Sequence, residues 1–355
     1  RFFLGTITFL LVLSFLVFFH ELGHFLAARY FGVKVHVFSI GFGKQLFAKE
    51  WKGTVWQLSL IPLGGYVKMK GQDDSNPALK EEGDDSYNTK SPLQRIVILF
   101  AGPFANFLLA AILYFSIAIM GASALAPQIG TIQENSPAFK AGIKAKDEIV
   151  RINNTEITTW NEIGEEIVNT QGALKFYIKR DGKLIAKTIS PHISDAQNMF
   201  KEDIKKRMIG ISPSGKIVQL DLSISESLVF AYEKTIFAST MIFQGVQKLI
   251  QGIIPSSEVG GVITIGKVIS DASESSIIAL LTITALISVN LGVLNLLPIP
   301  ALDGGHIMFN IYEMITKRKP SDKVFMILTI TGWVILGALM LLGIYNDINR
   351  IFING

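Results

Sequence analysis

No cysteine occurs in the 355 residues. That excludes disulfides, thiolate-held zinc and thiol nucleophiles, and it leaves the redox compartment unread. Charge is scarce as well: 17% of residues are Asp, Glu, Lys or Arg, against 49% hydrophobic. A net charge of +4 gives no reason to expect a nucleic-acid partner. Histidine is rare, with five in the whole chain. Long uncharged apolar runs, by contrast, are plentiful. Four of them, about Phe2–Ala28, Ile96–Met120, Ile277–Leu297 and Val324–Leu342, have the roughly 20-residue length that crosses about 30 Å of hydrocarbon. The expected fold is a polytopic α-helical membrane protein with about four transmembrane helices.

The stretches between the runs read differently. Val35–Ile40, Gln45–Trp51, Thr54–Leu60 and Tyr66–Met69 alternate like strands, with Lys52-Gly53 as a hairpin turn. GQDDSNPALKEEGDDSYNTK, Gly71 to Lys90, reads as a polar loop. QIGTIQ, EIVRIN, LKFYIKRDG and IAKTIS read as strands around a helix at Asn161–Thr170, a small α+β domain outside the membrane. Ser223–Ile254 is amphipathic and interrupted by charge, as expected of a helix lying in the interface. The expected division is a first span over 1–34 and a membrane-associated β-hairpin region with its loop over 35–95. A second span over 96–121 precedes the small domain, 122–215, and the interfacial helix with a linker, 216–276. A third span covers 277–306, and 307–355 hold a loop, the fourth span and a tail. Lysine and arginine concentrate in the first loop and after the third run, which places both in the cytoplasm and the small domain outside.

Within the first apolar run stands FFHELGHFLA, Phe18 to Ala27. His20 and His24 are four apart, so both imidazoles leave one helix face and can grip one zinc ion. Glu21 stands beside them, able to take a proton from water. Buried, hydrogen-bonded histidines are the plainer alternative, but ionisable groups at membrane depth are costly and usually functional. Catalytic zinc takes three protein ligands and one open position. The break in NLLPIPALDGGH, Asn295 to His306, supplies Asp303 as the preferred third ligand and His306 as the alternative. Pro298 and Pro300 end the helix, Gly304-Gly305 permits a sharp turn, and irregular backbone at this depth is tolerated where it lines a cavity. Asp303 could instead serve only turn amides.

His20-Glu21-Leu22-Gly23-His24, Ala101-Gly102-Pro103-Phe104-Ala105-Asn106 and Asn295 through Gly305 together resemble the site-2 protease family of intramembrane zinc metalloproteases, most closely the bacterial regulator of sigma-E protease. The resemblance covers nearly the whole chain. It implies zinc held by His20, His24 and Asp303, with Glu21 as base. It also implies that Asn295 helps bind substrate or the transition state, and that the β region dips into the membrane with Gly41 and Gly43 handling substrate. Ile129–Ile157 is similar to a PDZ module, with Ala126–Gly130 as its peptide-carboxylate loop and a peptide as its possible ligand. One such unit is found, and Val259–Val262 stands where relatives often have Gly-Pro. The expected function is hydrolysis of peptide bonds within single-span membrane substrates, such as a trimmed anti-sigma factor or remnant signal peptides, at the bacterial inner membrane. The alternatives are a PDZ-bearing membrane scaffold with a structural metal and, least favoured, a metal transporter.

Overall fold

The structure, a computed structural model, describes residues 2–72, 81 and 83–352. Much of the expected polar loop and the last three residues lie outside the described residues. The chain forms two compact bodies, 1–117 with 225–355 and 118–224.

In the first body α1 (Phe2–Tyr30) is 29 residues long, about 43 Å at 1.5 Å per residue. The strands β1 (Val35–Trp51) and β2 (Thr54–Met69) follow, each doubled back on itself. Val35–Ile40 runs against Gly65–Met69, and Gln45–Trp51 runs against Thr54–Ser59. On its other side Val37–Ile40 meets Val55–Leu58, with both numbers rising together. The four runs expected from alternation thus form one sheet. Gly41 (φ 89) and Gly43 (φ 84) make the bend in β1, a conformation that favours glycine. Lys52 (φ 51) and Gly53 (φ 76) form the tight turn. The sheet satisfies its buried hydroxyls internally: Ser39 Oγ donates to Gly41 O at 2.9 Å, and Gln57 Nε2 donates to Ser39 Oγ and Ser59 Oγ. Then comes α2 (Pro92–Ile119), with Pro103 inside it.

The second body comprises β3 (Ser123–Leu125), β4 (Ile129–Ile132), α3 (Pro137–Lys140), β5 (Glu148–Ile152), β6 (Thr155–Glu156), α4 (Trp160–Asn169), β7 (Leu174–Arg180), β8 (Lys183–Ile189), β9 (His192–Gln197), β10 (Asp203–Met208), β11 (Ile211–Pro213) and β12 (Ile217–Gln219). The main sheet has the order β6-β5-β7-β8, with separate pairs β9–β10, β4–β11 and β3–β12. Ile149, Ile152, Ile163, Leu174, Phe176 and Ile178 fill its core. Thr159 and Glu162 box the start of α4. In the expected carboxylate loop, Ala126–Gly130, two amides are bonded within the body. Ala126 N donates to Lys216 O and Ile129 N to Asp147 O, so those amides are spent within the body. A cavity of about 400 Å³ lies beside α4, against Thr131–Gln133 and Lys206–Ser212. Arg207 ties β10 to the Thr170 and Gly172 carbonyls at the end of α4.

The first body resumes with α5 (Ile224–Ile250), α6 (Val262–Ser275), α7 (Ile277–Asn295), α8 (Asp303–Thr316) and α9 (Asp322–Phe352). Among the described residues α1, α2, α7 and α9 are the four helices long and apolar enough to cross a membrane. In α5 the buried stripe is small, Ser227, Ala231, Thr235 and Ala238, while Leu228, Phe237 and Phe243 are exposed. Two elements depart from expectation. The residues after Asp303 form a helix, α8, rather than a loop. The tail continues α9, because its polar residues have partners. The Asp347 carboxylate accepts from the amides of Gly261, Ile263 and Thr264, capping α6, and Asn346 donates to Ser256 O and Val259 O.

Candidate metal centre

His20 and His24 share the face of α1 that their spacing predicts. Nε2 of His20 lies 3.2 Å from Nε2 of His24. Asp303, the first residue of α8, brings Oδ2 to 3.3 Å from His20 Nε2 and 3.4 Å from His24 Nε2. Ligands around a tetrahedral ion at about 2.0–2.1 Å stand about 3.3–3.4 Å apart. Three donor atoms at 3.2, 3.3 and 3.4 Å therefore fit one zinc ion, with a fourth position open. Oδ2 of Asp303 is buried and has no hydrogen-bond partner among the described residues. The expectation that Asp303 might only serve turn amides does not hold for this atom.

The break that carries Asp303 is built by close contact. A Cβ on Gly304 would come within 2.3 Å of the Leu296 and Leu297 carbonyls, and one on Gly305 within 2.3 Å of Ile299 O. Both glycines lie in the first turn of α8 rather than at positive φ. They are needed because Leu296–Pro300 folds back onto them, not to make a sharp turn. Gly332 of α9 packs closely too: a Cβ there would reach 2.6 Å from Ala301 N.

The second motif orients the imidazoles, a role that sequence reading did not assign. His24 Nδ1 donates to Ile98 O at 2.9 Å, which leaves Nε2 as a lone-pair donor. Pro103 removes the amide that would bond Leu99, loosening the turn that contains Ile98. A Cβ on Gly102 would lie 2.1 Å from His24 Nε2, and one on Gly23 2.1 Å from Ala101 O. Small residues therefore let α1 and α2 touch at the site. Asn106 is fully buried, and its carboxamide meets His20 Nδ1 at 3.1 Å. When His20 Nε2 faces an ion, Nδ1 carries the proton and the amide oxygen accepts it. The half-turn exchanging the amide's nitrogen and oxygen makes that bond and gives the unpartnered Oδ1 its donor. Ser288 Oγ donates to Asn106 O at 2.8 Å. The AGPFAN motif signalled this supporting layer, but its partners lie on another helix.

Glu21 is 9% exposed. The sheet reaches it: a Cβ on Gly65 would lie 2.7 Å from Val17 Cγ1 and 3.1 Å from Glu21 Cγ. Gly65, which sequence reading also missed, thus allows β2 to press against α1 beside the carboxylate. Asn295 ends α7, and its side chain donates to Leu291 O at 3.0 Å. Gly41 and Gly43 belong to the bend in β1, where a Cβ on Gly41 would crowd Ile61 O at 2.9 Å. His306, the alternative ligand, is not in the cluster. Its ring faces Phe309 and Phe325 at centroid distances of 6.1 and 5.6 Å. His36 faces Glu81 at 3.5 Å. Among the described residues, His20, His24 and Asp303 are the one group of three that such donors form.

Comparison with known proteins agrees with this chemistry. The model of peptidase family M50 matches residues 8–339. Cj1068 of Campylobacter jejuni, which bears a zinc-metalloprotease name, is 50% identical over 349 residues, covering 98% of this chain and 94% of its own. A Helicobacter pylori protein named likewise is 41% identical over 350 residues, with 96% and 98% covered. Metalloprotease MmpA of Caulobacter vibrioides is 31% identical over 383 residues, with 97% and 95% covered.

Proposed function

Since the chain belongs to peptidase family M50 and is a zinc metalloprotease of the site-2 protease type, we propose that it cuts single-span membrane proteins within the bilayer in regulated intramembrane proteolysis. Trimmed anti-sigma factors and remnant signal peptides are the substrate classes. The setting is the bacterial inner membrane, with residues 118–224 on the extracytoplasmic side as a PDZ-like module that takes a peptide or screens substrates.

The carrying observation is the convergence of His20, His24 and Asp303, with donor atoms 3.2–3.4 Å apart, beside Glu21 in apolar helices. His20, His24 and Asp303 hold zinc, which when bound supplies a Lewis acid for the scissile carbonyl and for water. Glu21 takes the proton of the attacking water and returns it to the leaving amine nitrogen. Ile98 O and Asn106 fix the tautomers of the two histidines. A helical substrate must first be extended, which leaves backbone groups unpaired where no water is available. The edge of the β1–β2 sheet receives the extended segment by strand addition, with Gly41 and Gly43 at its bend and Asn295 steadying the chain or the oxyanion.

The deciding experiment compares Glu21→Gln with wild type for cleavage of a membrane-embedded model substrate, with zinc measured on both. Glu21→Gln should keep its zinc and lose cleavage by orders of magnitude. Asp303→Ala should lose the zinc. Cleavage surviving in a zinc-loaded Glu21→Gln protein would favour a scaffold with a structural metal.

A further inference from the structure

A second polar feature of the first body lies away from the metal centre, where α1 ends and the β1–β2 turn returns beside it. A cavity of about 360 Å³ is lined there by Arg29, Lys34 and Lys52, with Gly32, Gly53 and Asp85. The three cations are exposed, and among the described residues none of them has a carboxylate within ion-pair distance. Asp85 is already engaged: Lys70 Nζ lies 2.6 Å from its carboxylate, and that hydrogen bond holds the carboxyl below the usual carboxylate range. Lys90 adds charge at the rim, its Nζ 2.7 Å from Asp84 O and 3.9 Å from where a Gly32 Cβ would stand. Among the described residues, Arg29, Lys34 and Lys52 thus line a hollow with one carboxylate, that of Asp85, and Lys90 stands at its rim. Gathering like charges without a counter-ion is unfavourable. Gly32 and Gly53 on its wall are both at positive φ (72 and 76), a conformation that favours glycine.

Its level in the membrane follows from α1. A helix of 29 residues exceeds what hydrocarbon alone requires, so its end reaches the headgroup layer. Tyr30 (84% exposed) and Trp51 (56% exposed), the chain neighbours of Arg29 and Lys52, are aromatic residues of the kind enriched at membrane interfaces. Lys52 Nζ stands 4.8 Å over the Trp51 ring. We propose that this basin binds the phosphate of an anionic phospholipid headgroup, with Arg29 as a forked donor and Lys34 and Lys52 as point charges. The bound lipid joins the end of the helix that carries His20 and His24 to the turn of the sheet that reaches Glu21. The proposal rests on the chain being a membrane protein and not on its cutting anything.

The test is native mass spectrometry of the full-length protein in detergent, offered phosphatidylglycerol or phosphatidylcholine. Wild type is compared with Lys52→Gln and with the triple variant Arg29→Gln, Lys34→Gln, Lys52→Gln. Wild type should retain phosphatidylglycerol over phosphatidylcholine, and each substitution should weaken that retention about fivefold. Lys52→Gln lies on an exposed turn and keeps the result decisive if the triple variant misfolds. Equal retention by wild type and Lys52→Gln overturns the proposal. So does displacement of the lipid by millimolar inorganic phosphate, which would assign the basin to a soluble anion. Zinc content and cleavage are recorded on the same samples, so a protein that binds the lipid and cuts nothing sinks the protease reading alone.

Discussion

Asn106 is the residue whose effect is sharpest against its plain appearance. Its backbone is helical, its side chain is fully buried, and it contacts no substrate-facing group except through His20. It acts by holding the imidazole in one tautomer. Partners of this kind typically change metal affinity or activity about 10- to 100-fold when removed. Asn106→Ala should therefore weaken zinc binding by about that factor, read by competition with a chelating dye, while helix content stays constant. Asn106→Asp, which keeps an acceptor, should recover part of the loss. An unchanged zinc affinity in Asn106→Ala would mean that His20 needs no such support. This residue was visible in the sequence as the end of a motif, yet its task was not legible there. His20 and Asn106 sit on different helices, and no spacing along the chain relates them.

At the scale of elements, the question is what holds α8 so that Asp303 reaches the histidines of α1. One tie is the ion pair between Arg95 at the start of α2 and Glu313 on α8, 2.8 Å long with both side chains largely buried. Arg95 Nε also donates to Lys90 O at 3.1 Å. Removing one partner of a buried pair leaves the other charge uncompensated, at a cost of about 3–5 kcal/mol. Arg95→Met should lower both cleavage and zinc affinity, and Glu313→Gln added to it should restore part of each, as a double-mutant cycle would register. Additive losses would show that the pair does not position α8. Helix existence was readable for α1, α2, α7 and α9 from apolar runs alone. The short α6 and α8 were not, since their stability comes from contacts made elsewhere: Asp347 caps α6, and the folded-back Leu296–Pro300 packs on the glycines of α8.

On the scale of the molecule, the candidate metal centre is built wholly from the first body, as His20, His24 and Asp303 all belong to it. Chelation should therefore abolish cleavage and be reversed by added zinc, while amide-exchange protection in 118–224 stays as it was. The converse perturbation uses Arg180, which grips the buried Asp147 through two bonds of 2.7 Å. Arg180→Ala should destabilise the second body by about 3–5 kcal/mol, seen as lost exchange protection there with zinc content unchanged. Zinc lost along with that protection would contradict the separation. The membrane character, four helices long and apolar enough to span, and the histidine pair were determined by the sequence itself. Each is a property of neighbours in the chain: apolar run length, alternation, or two residues one helical turn apart. The choice of Asp303 over His306 as third donor, the support of Ile98 O and Asn106, and the approach of Gly65 to Glu21 were decided only by the tertiary structure. They depend on close packing between distant segments, where the absence of a Cβ at Gly102, Gly304 or Gly65 sets the distance, and that is a property of pairs of surfaces rather than of any one stretch.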